Sequence, residues 1–291
     1  MWPWLEIMRP GNSALSALGV FIGAFLVASV FDPAVLLGAL AVFFITGAGN
    51  AVNDIMDVES DRINRPQRPI PSGRIKKKPA IAYTAALFIL GLALVVLMNN
   101  ILCLVLAAVN SLLLIAYSYS LQNKVLMGNI AVAYLAGSVF LFGGAAAGDI
   151  ALPLLLTILA MLTTFAREIV KDLEDLEGDR KSFLKKITSK MKESFGDRFR
   201  IGRSGIKLRY KTIYAILFSS FSLWLAVVVS SVPYMWGLLG ITYLVLLVPV
   251  DAMLIAASII LIRRRNYRIT SKLIKTAMAV GMLAFLVGSI F

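Results

Sequence analysis

Two short acidic stretches hold ten of the 16 Asp and Glu residues of this chain. The first spans residues 50–62 and the second spans residues 167–180. Both contain the spacing D-x-x-D-x-x-x-D, formed by Asp54, Asp57 and Asp61 in the first stretch and by Asp172, Asp175 and Asp179 in the second. Because a repeated spacing indicates a shared task in two related halves, we predict that these six aspartates are catalytic.

On an α-helix, residues four positions apart lie on one face, so each stretch would project a column of polar side chains. The columns consist of Asn53, Asp57 and Asp61 in the first stretch, and of Arg167, Lys171, Asp175 and Asp179 in the second. Stacked carboxylates near hydrocarbon are costly unless a cation accompanies them. The chain has no histidine and one cysteine, so the atoms available to coordinate a metal here are oxygens. Oxygen ligands favour Mg²⁺.

Magnesium usually completes its coordination shell with water and substrate phosphate, and the flanking cations Arg62, Arg68 and Lys171 suit a diphosphate. This arrangement suggests ionisation of an allylic diphosphate, in which the C–O bond breaks toward an allylic cation. Such a site must exclude water. Tyr117 and Lys124 lie at the same membrane level as both acidic stretches and are also predicted to bind substrate. The Tyr117 ring could stabilise a cation.

The composition indicates that these residues lie in a membrane protein. Of the 291 residues, 59% are apolar and 15% are charged, and the mean hydropathy is +0.84, which excludes an ordinary soluble domain. The absence of histidine excludes His-based triads and His-ligated zinc. The single Cys103 excludes a disulfide framework.

Apolar runs between helix breakers predict an all-α polytopic membrane protein with nine transmembrane helices. The predicted spans are 13–31, 33–53, 79–98, 101–119, 128–148, 151–171, 211–230, 234–262 and 272–290. Every second connection carries Lys or Arg, whereas the connections between them carry none. The positive-inside rule therefore places the N-terminus and both acidic stretches in the cytoplasm and the C-terminus outside. This pattern accounts for the net charge of +13 without nucleic-acid binding.

The largest predicted non-membrane piece is the basic segment 180–211 between helices six and seven. Apolar residues recur in it at helical spacing, as in Phe183, Ile187 and Met191. One interpretation is an amphipathic helix on the membrane surface, and the other is a lid that attracts anionic substrates to the site. The two interpretations are compatible.

The motifs resemble those of the UbiA superfamily of intramembrane prenyltransferases. Its members share N-x-x-x-D-x-x-x-D, matched here from Asn53 to Asp61, and [Y/R]-x-x-x-K-x-x-x-D-x-x-x-D, matched from Arg167 to Asp179. The loop 61–73 also matches. The resemblance covers the whole chain except 181–210 and implies one domain, 1–291, in which nine helices surround a central intramembrane cavity.

Within the superfamily, segments 6–12, 128–130 and 167–172 are most similar to enzymes of archaeal ether-lipid synthesis. That similarity implies Mg²⁺-dependent transfer of a geranylgeranyl group from its diphosphate to the sn-2 hydroxyl of geranylgeranylglyceryl phosphate. The implied metal ligands are Asn53, Asp57, Asp61, Asp175 and Asp179, with Asn50, Asp54 and Asp172 in support. The predicted substrate-binding residues are Asn12, Asn50, Arg62, Arg68, Tyr117, Lys124, Arg167 and Lys171.

Three alternatives stay open at this point. The acceptor could be aromatic, namely a hydroxybenzoate, a naphthoate, haem or chlorophyllide. A CDP-alcohol phosphotransferase also uses aspartates and metal, although its D-G-x-x-A-R pattern is absent here. A transporter would place its ionisable residues near the bilayer midplane rather than at helix ends. The chain's oligomeric state does not follow from its sequence.

Overall fold

The computed structural model describes residues 2–27, 32–122, 124–192 and 204–291, with the side chains of 125, 178–192 and 204–211 excepted. The Asp179 side chain and the side chains of segment 180–211 therefore lie outside the described residues. Twelve α-helices and one short π-helix make up the described fold. Their bounds are α1 Pro3–Met8, α2 Pro10–Phe25, α3 Pro33–Met56, α4 Val58–Asn64, α5 Lys77–Leu97, α6 Ile101–Ala116, the π-helix Tyr117–Leu121, α7 Val125–Ala147, α8 Ala151–Lys192, α9 Ser204–Ser230, α10 Val232–Met235, α11 Ile241–Arg263 and α12 Tyr267–Gly288.

Eight of the described helices are long and apolar enough to cross a bilayer. They are α3, α5, α6 with its π-helical extension, and α7, α8, α9, α11 and α12. Helix α2 is also apolar but has 16 residues, or about 24 Å of helix, which is shorter than a hydrocarbon core of about 30 Å. The protein is a helical multi-pass membrane protein, and the count of nine spanning helices stays a prediction.

Several predicted helix limits differ from the structure: the span predicted at 13–31 is Pro10–Phe25, and the span predicted at 211–230 begins at Ser204. Two further differences have a clear physical reason. The span predicted at 234–262 begins at Ile241, because Gly237 (φ +67°) and Gly240 form a turn after α10. The span predicted at 151–171 belongs to a much longer helix, since α8 continues to Lys192. Polar residues in the second acidic stretch therefore extend the helix beyond its apolar part rather than ending it.

Most of the buried core forms two large clusters that correspond to the two halves of the chain, and two smaller clusters lie around α1 and the end of α3. One is built from α2, α3, α6 and α7, and it includes Val42 and Phe142. The other is built mainly from α8, α9, α11 and α12, and it includes Leu223 and Tyr243. Helix α2 contributes to both clusters, and it packs closely on α7. The halves are thus joined along α2, α7 and α8.

Candidate active site

The first acidic stretch is not one continuous helix face. Helix α3 ends at Met56 and α4 begins at Val58, with Asp57 (φ −87°, ψ 7°) at the junction. Backbone hydrogen bonds from Asp57 to Asn53 and from Asp61 to Asp57 still cross this junction. The expected single column is therefore bent at Asp57: Asn53 and Asp57 contact the end of α6, whereas Asp61 contacts Arg68.

Asp54 and Asp61 are buried in a network with two arginines. The Asp54 carboxylate is paired with Arg9 and, at 3.2 Å, with Nη1 of Arg68. The same Arg68 nitrogen donates to Oδ2 of Asp61 at 2.6 Å. Arg68, predicted to bind phosphate, and Asp61, predicted to bind metal, are thus paired with each other in this structure. Buried charges are tolerated when they are paired in this way.

Arg9 reaches Asp54 from a sharp break between α1 and α2. It adopts the left-handed backbone conformation (φ +50°) directly before Pro10. Asn50, predicted to bind substrate, donates its side-chain amide to the Met8 carbonyl at 2.9 Å and so stabilises this break. Asn12 lies on the exposed side of α2.

Asp57 and Asn53 contact the π-helix at the end of α6. Nε2 of Gln122, the residue after the π-helix, donates to Oδ1 of Asp57 at 2.9 Å, and the Ser118 hydroxyl donates to Oδ1 of Asn53 at 2.6 Å. A π-helical turn rotates the following residues relative to a regular α-helix, and such turns are frequent at functional sites. Here it brings these two side chains to face the first acidic stretch.

In the second acidic stretch, the described side chains differ in exposure. Asp172 is half-buried and accepts a 2.8 Å hydrogen bond from the buried Asn129 on α7. Glu168 is paired with Arg167 at 2.7 Å and lies 3.8 Å from Lys171. Asp175 is exposed. Of these three carboxylates, that of Asp172 is anchored, that of Glu168 is paired and that of Asp175 is exposed.

Tyr117 joins the two stretches. It is half-buried, and it lies within electrostatic range of Asp57 on one side and of Glu168 and Asp172 on the other. The two acidic stretches thus lie at the same end of the bundle as Tyr117, and we call this end the acidic end. Arg62 and Lys124 are exposed at this end.

No three Asp or Glu side chains among the described residues lie close enough to form a metal site by themselves. Magnesium does not require such a cluster, because it is commonly held by one or two carboxylates and by substrate phosphates. Asp57, Asp172 and Asp175, together with the amide oxygen of Asn53, provide hard oxygen donors of the right kind. The residues present therefore fit a magnesium ion that arrives with a diphosphate.

Two apolar cavities extend from the acidic end into the bundle. The first, about 260 Å³, has Asn50, Asn53, Tyr117 and Ser118 at its polar end and continues between α2, α3, α6 and α7 to Phe142. The second, about 520 Å³, lies mainly among α8, α9, α11 and α12. Ala136 on α7 borders both cavities.

Sequence reasoning missed four residues that position the site: Arg9, Ser118, Gln122 and Asn129. Arg9 and Asn129 lie within segments that carried the resemblance, so a signal for them was present in the sequence. Ser118 and Gln122 carry no comparable signal, because their roles depend on the π-helical turn. Each contacts a partner 65 residues away.

The match to known families decides the class of this protein. The model of the UbiA prenyltransferase family matches residues 16–286. The chain belongs to the UbiA prenyltransferase family. The predictions that the protein belongs to the UbiA superfamily and that it is a prenyltransferase are therefore confirmed. A CDP-alcohol phosphotransferase and a transporter do not fit a UbiA match over nearly the full chain.

Individual UbiA relatives align over nearly the whole chain. Digeranylgeranylglyceryl phosphate synthase of Methanopyrus kandleri is 37% identical over 287 residues, which cover 98% of each chain. A solved structure from work on digeranylgeranylglyceryl phosphate synthase in membranes has a TM-score of 0.84 and 35% identity, and the match covers 99% of this chain and 98% of that one. A UbiA homolog from Archaeoglobus fulgidus, bound to GPP and Mg²⁺, has the same fold with a TM-score of 0.65 at 17% identity, with 99% and 100% covered.

Proposed function

We propose that this protein transfers a geranylgeranyl group from geranylgeranyl diphosphate to the sn-2 hydroxyl of geranylgeranylglyceryl phosphate and releases diphosphate. The observation that carries the reaction type is the meeting of the two acidic stretches at Tyr117, beside a cavity that leads into the apolar bundle. The observation that carries the acceptor is the full-length similarity to enzymes named digeranylgeranylglyceryl phosphate synthase.

We assign the diphosphate and magnesium to the acidic end. Asn53, Asp57, Asp172 and Asp175 would hold the metal, with Lys171 and Arg62 placed to bind phosphate oxygens. Magnesium, when bound, neutralises the charge that develops on the leaving diphosphate. Asp61 and Asp179 remain proposed ligands, and for Asp61 this requires a change in its pairing with Arg68.

We assign the donor's prenyl chain to the first cavity. Its polar end contains Asn53 and Tyr117, so a chain lying in it places its diphosphate-bearing carbon beside the acidic stretches. Apolar walls between α3, α6 and α7 exclude water that would otherwise capture the allylic cation. The Tyr117 ring, within electrostatic range of three carboxylates, is placed to stabilise positive charge at that carbon.

We further propose that the acidic end faces the cytoplasm in the cell membrane, with the N-terminus inside and the C-terminus outside. The support is the distribution of Lys and Arg, which are concentrated at the connections of this end.

The test is turnover by the purified full-length protein in detergent. Geranylgeranyl diphosphate and geranylgeranylglyceryl phosphate are supplied with and without Mg²⁺, and the lipid product is followed by mass spectrometry. We expect the doubly alkylated glyceryl phosphate to form only with Mg²⁺. If an aromatic acceptor such as a hydroxybenzoate is prenylated instead, the acceptor assignment is wrong. If no acceptor is prenylated, the proposed reaction fails.

A further inference from the structure

The second cavity has a charge pattern that the first cavity lacks. Its lining is apolar except for the hydroxyl groups of Thr, Ser and Tyr residues and for two charged residues, Arg167 on α8 and Lys275 on α12. Both charges are positive, and Arg167 directly precedes Glu168 of the acidic stretch. The cavity therefore joins an apolar volume of about 520 Å³ to a cationic end next to the reacting site.

Lys275 lies in the first half of the membrane-spanning helix α12, and its side chain is exposed. It is eight residues after Tyr267, which corresponds to about 12 Å along α12. No carboxylate among the described residues forms an ion pair with it. A lysine in a membrane-spanning helix is costly unless it extends to the membrane surface, lines a polar path or meets an anion, and Lys275 lines the cavity together with Arg167.

Thr164 provides an independent observation at the same cavity. It is 5% exposed, and its hydroxyl has no hydrogen-bond partner among the described residues. By contrast, Thr163 donates to Leu159 and Ser230 donates to Asp251. Because an unpaired buried hydroxyl is unfavourable, Thr164 is suited to a polar group that enters the cavity. It lies one helical turn before Arg167.

Arg167 has hydrogen-bonding capacity to spare. One of its terminal nitrogens, Nη1, donates to Glu168, whereas a guanidinium has five N–H donors in a planar fork that suits phosphate. A phosphomonoester carries close to two negative charges at neutral pH. Arg167 and Lys275 together match that charge.

We propose that the second cavity is the acceptor subsite, in which Lys275 and Arg167 bind the phosphate of the acceptor lipid and Thr164 bonds a glyceryl oxygen. This inference rests on the proposed function and deepens it by naming residues that select a phosphorylated acceptor. The acceptor's prenyl chain lies along α11 and α12, and Ala136, which borders both cavities, separates it from the donor chain. Lys275 and Thr164 are thereby specificity-determining residues.

The test compares acceptor and donor kinetics of Lys275→Gln and Thr164→Val in the full-length protein. Lys275→Gln loses one charge-assisted hydrogen bond, which predicts a rise in acceptor KM of roughly 10- to 100-fold. Thr164→Val loses one neutral hydrogen bond, which predicts a rise in acceptor KM of roughly 3- to 10-fold. The donor KM stays unchanged in both variants. Lys275→Arg and Thr164→Ser restore acceptor binding, because each retains the charge or the hydroxyl.

Lys272→Gln is the matched control, since Lys272 and Lys275 are both exposed on α12 but only Lys275 lines the cavity. A second readout uses geranylgeranylglycerol, which lacks the phosphate. We expect the wild-type protein to prefer the phosphorylated acceptor and Lys275→Gln to lose most of that preference. Thermal unfolding in detergent checks that each variant is folded.

The result that overturns the inference is an unchanged acceptor KM in folded Lys275→Gln, which would identify a lysine that only extends to the membrane surface. A rise confined to the donor KM also overturns it, because the subsite would then hold the donor diphosphate. A wild-type protein that prenylates only aromatic acceptors refutes the proposed function itself, and that result is visible before any variant is made.

Discussion

Neighbouring aspartates of the first acidic stretch have different partners, and these partners separate structural roles from chemical ones. Asp54 is 3% exposed and contacts two arginines, whereas Asp57 is half-buried and bonds only the neutral Gln122 among the described residues. A carboxylate already neutralised by protein cations is poorly suited to attract Mg²⁺. Asp57 retains its charge for a metal.

At the residue scale, we expect Asp57→Asn and Asp175→Asn to abolish turnover while leaving the fold intact. Each substitution removes a negative charge from a cluster that carries several, so repulsion in the unliganded protein does not increase. The measurement is product formation under saturating substrates, with thermal unfolding in detergent as the control. Activity close to wild type in both variants would refute their assignment as metal ligands.

Asp54→Asn is expected to act mainly on stability. It leaves Arg9 with a neutral partner, while Arg68 keeps Asp61. The loss in this largely buried site costs about 1–3 kcal/mol, and solvent around Arg9 reduces the cost. Unfolding by a denaturant in mixed micelles measures this loss directly. An Asp54→Asn protein as stable as wild type but inactive would instead place Asp54 among the chemical residues.

At the element scale, α2 and α7 determine the shape of both cavities. They cross at very short range: a Cβ on Gly23 would lie 2.0 Å from the Phe140 carbonyl oxygen, and a Cβ on Gly143 would lie 2.0 Å from that of Val20. Only glycine allows the two backbones to approach this closely. Because α2 contributes Ser16 to one cavity and Leu15 to the other, separating the helices would alter both.

We therefore expect Gly23→Ala to destabilise the protein by about 1–3 kcal/mol and to lower turnover, since the added methyl group must displace backbone. Gly11→Ala on the same helix is the control, because a Cβ there meets nothing within 4 Å. Thermal unfolding and initial rates of the two variants provide the comparison. Equal stability of Gly23→Ala and wild type would show that α2 can shift freely.

At the scale of the whole molecule, the distribution of cations predicts how the protein lies in the membrane. The single native Cys103 is buried, so introduced cysteines can be labelled against a low background. Ser72 is exposed in the loop of the acidic end, and Met235 is 74% exposed at the opposite end. These positions sample the two sides of the bilayer.

We expect a membrane-impermeant thiol reagent added to intact cells to label Met235→Cys and to leave Ser72→Cys unlabelled until the cells are opened. This result follows from the positive-inside rule. Labelling of Ser72→Cys in intact cells would reverse the proposed orientation, and with it the side from which the acceptor enters.

The sequence by itself determined the helical membrane fold class and the family, and it predicted the chemical type of the site. A run of about 20 apolar residues indicates a helix that spans the bilayer, whichever helices pack beside it. Likewise, the types and spacing of Asn53, Asp57 and Asp175 indicate oxygen ligands without any knowledge of packing. Both kinds of information are local, which explains why they could be read from the sequence.

Only the tertiary structure decided which of these residues are paired and which are free for substrate. Arg9 meets Asp54 across 45 residues and Gln122 meets Asp57 across 65, and Lys275 and Arg167 line the same cavity from α12 and α8. The bend at Asp57 and the π-helix at Tyr117 set these contacts. Helical periodicity defines the faces of each helix, but the packing of the whole bundle determines which faces meet, and therefore which charges are neutralised.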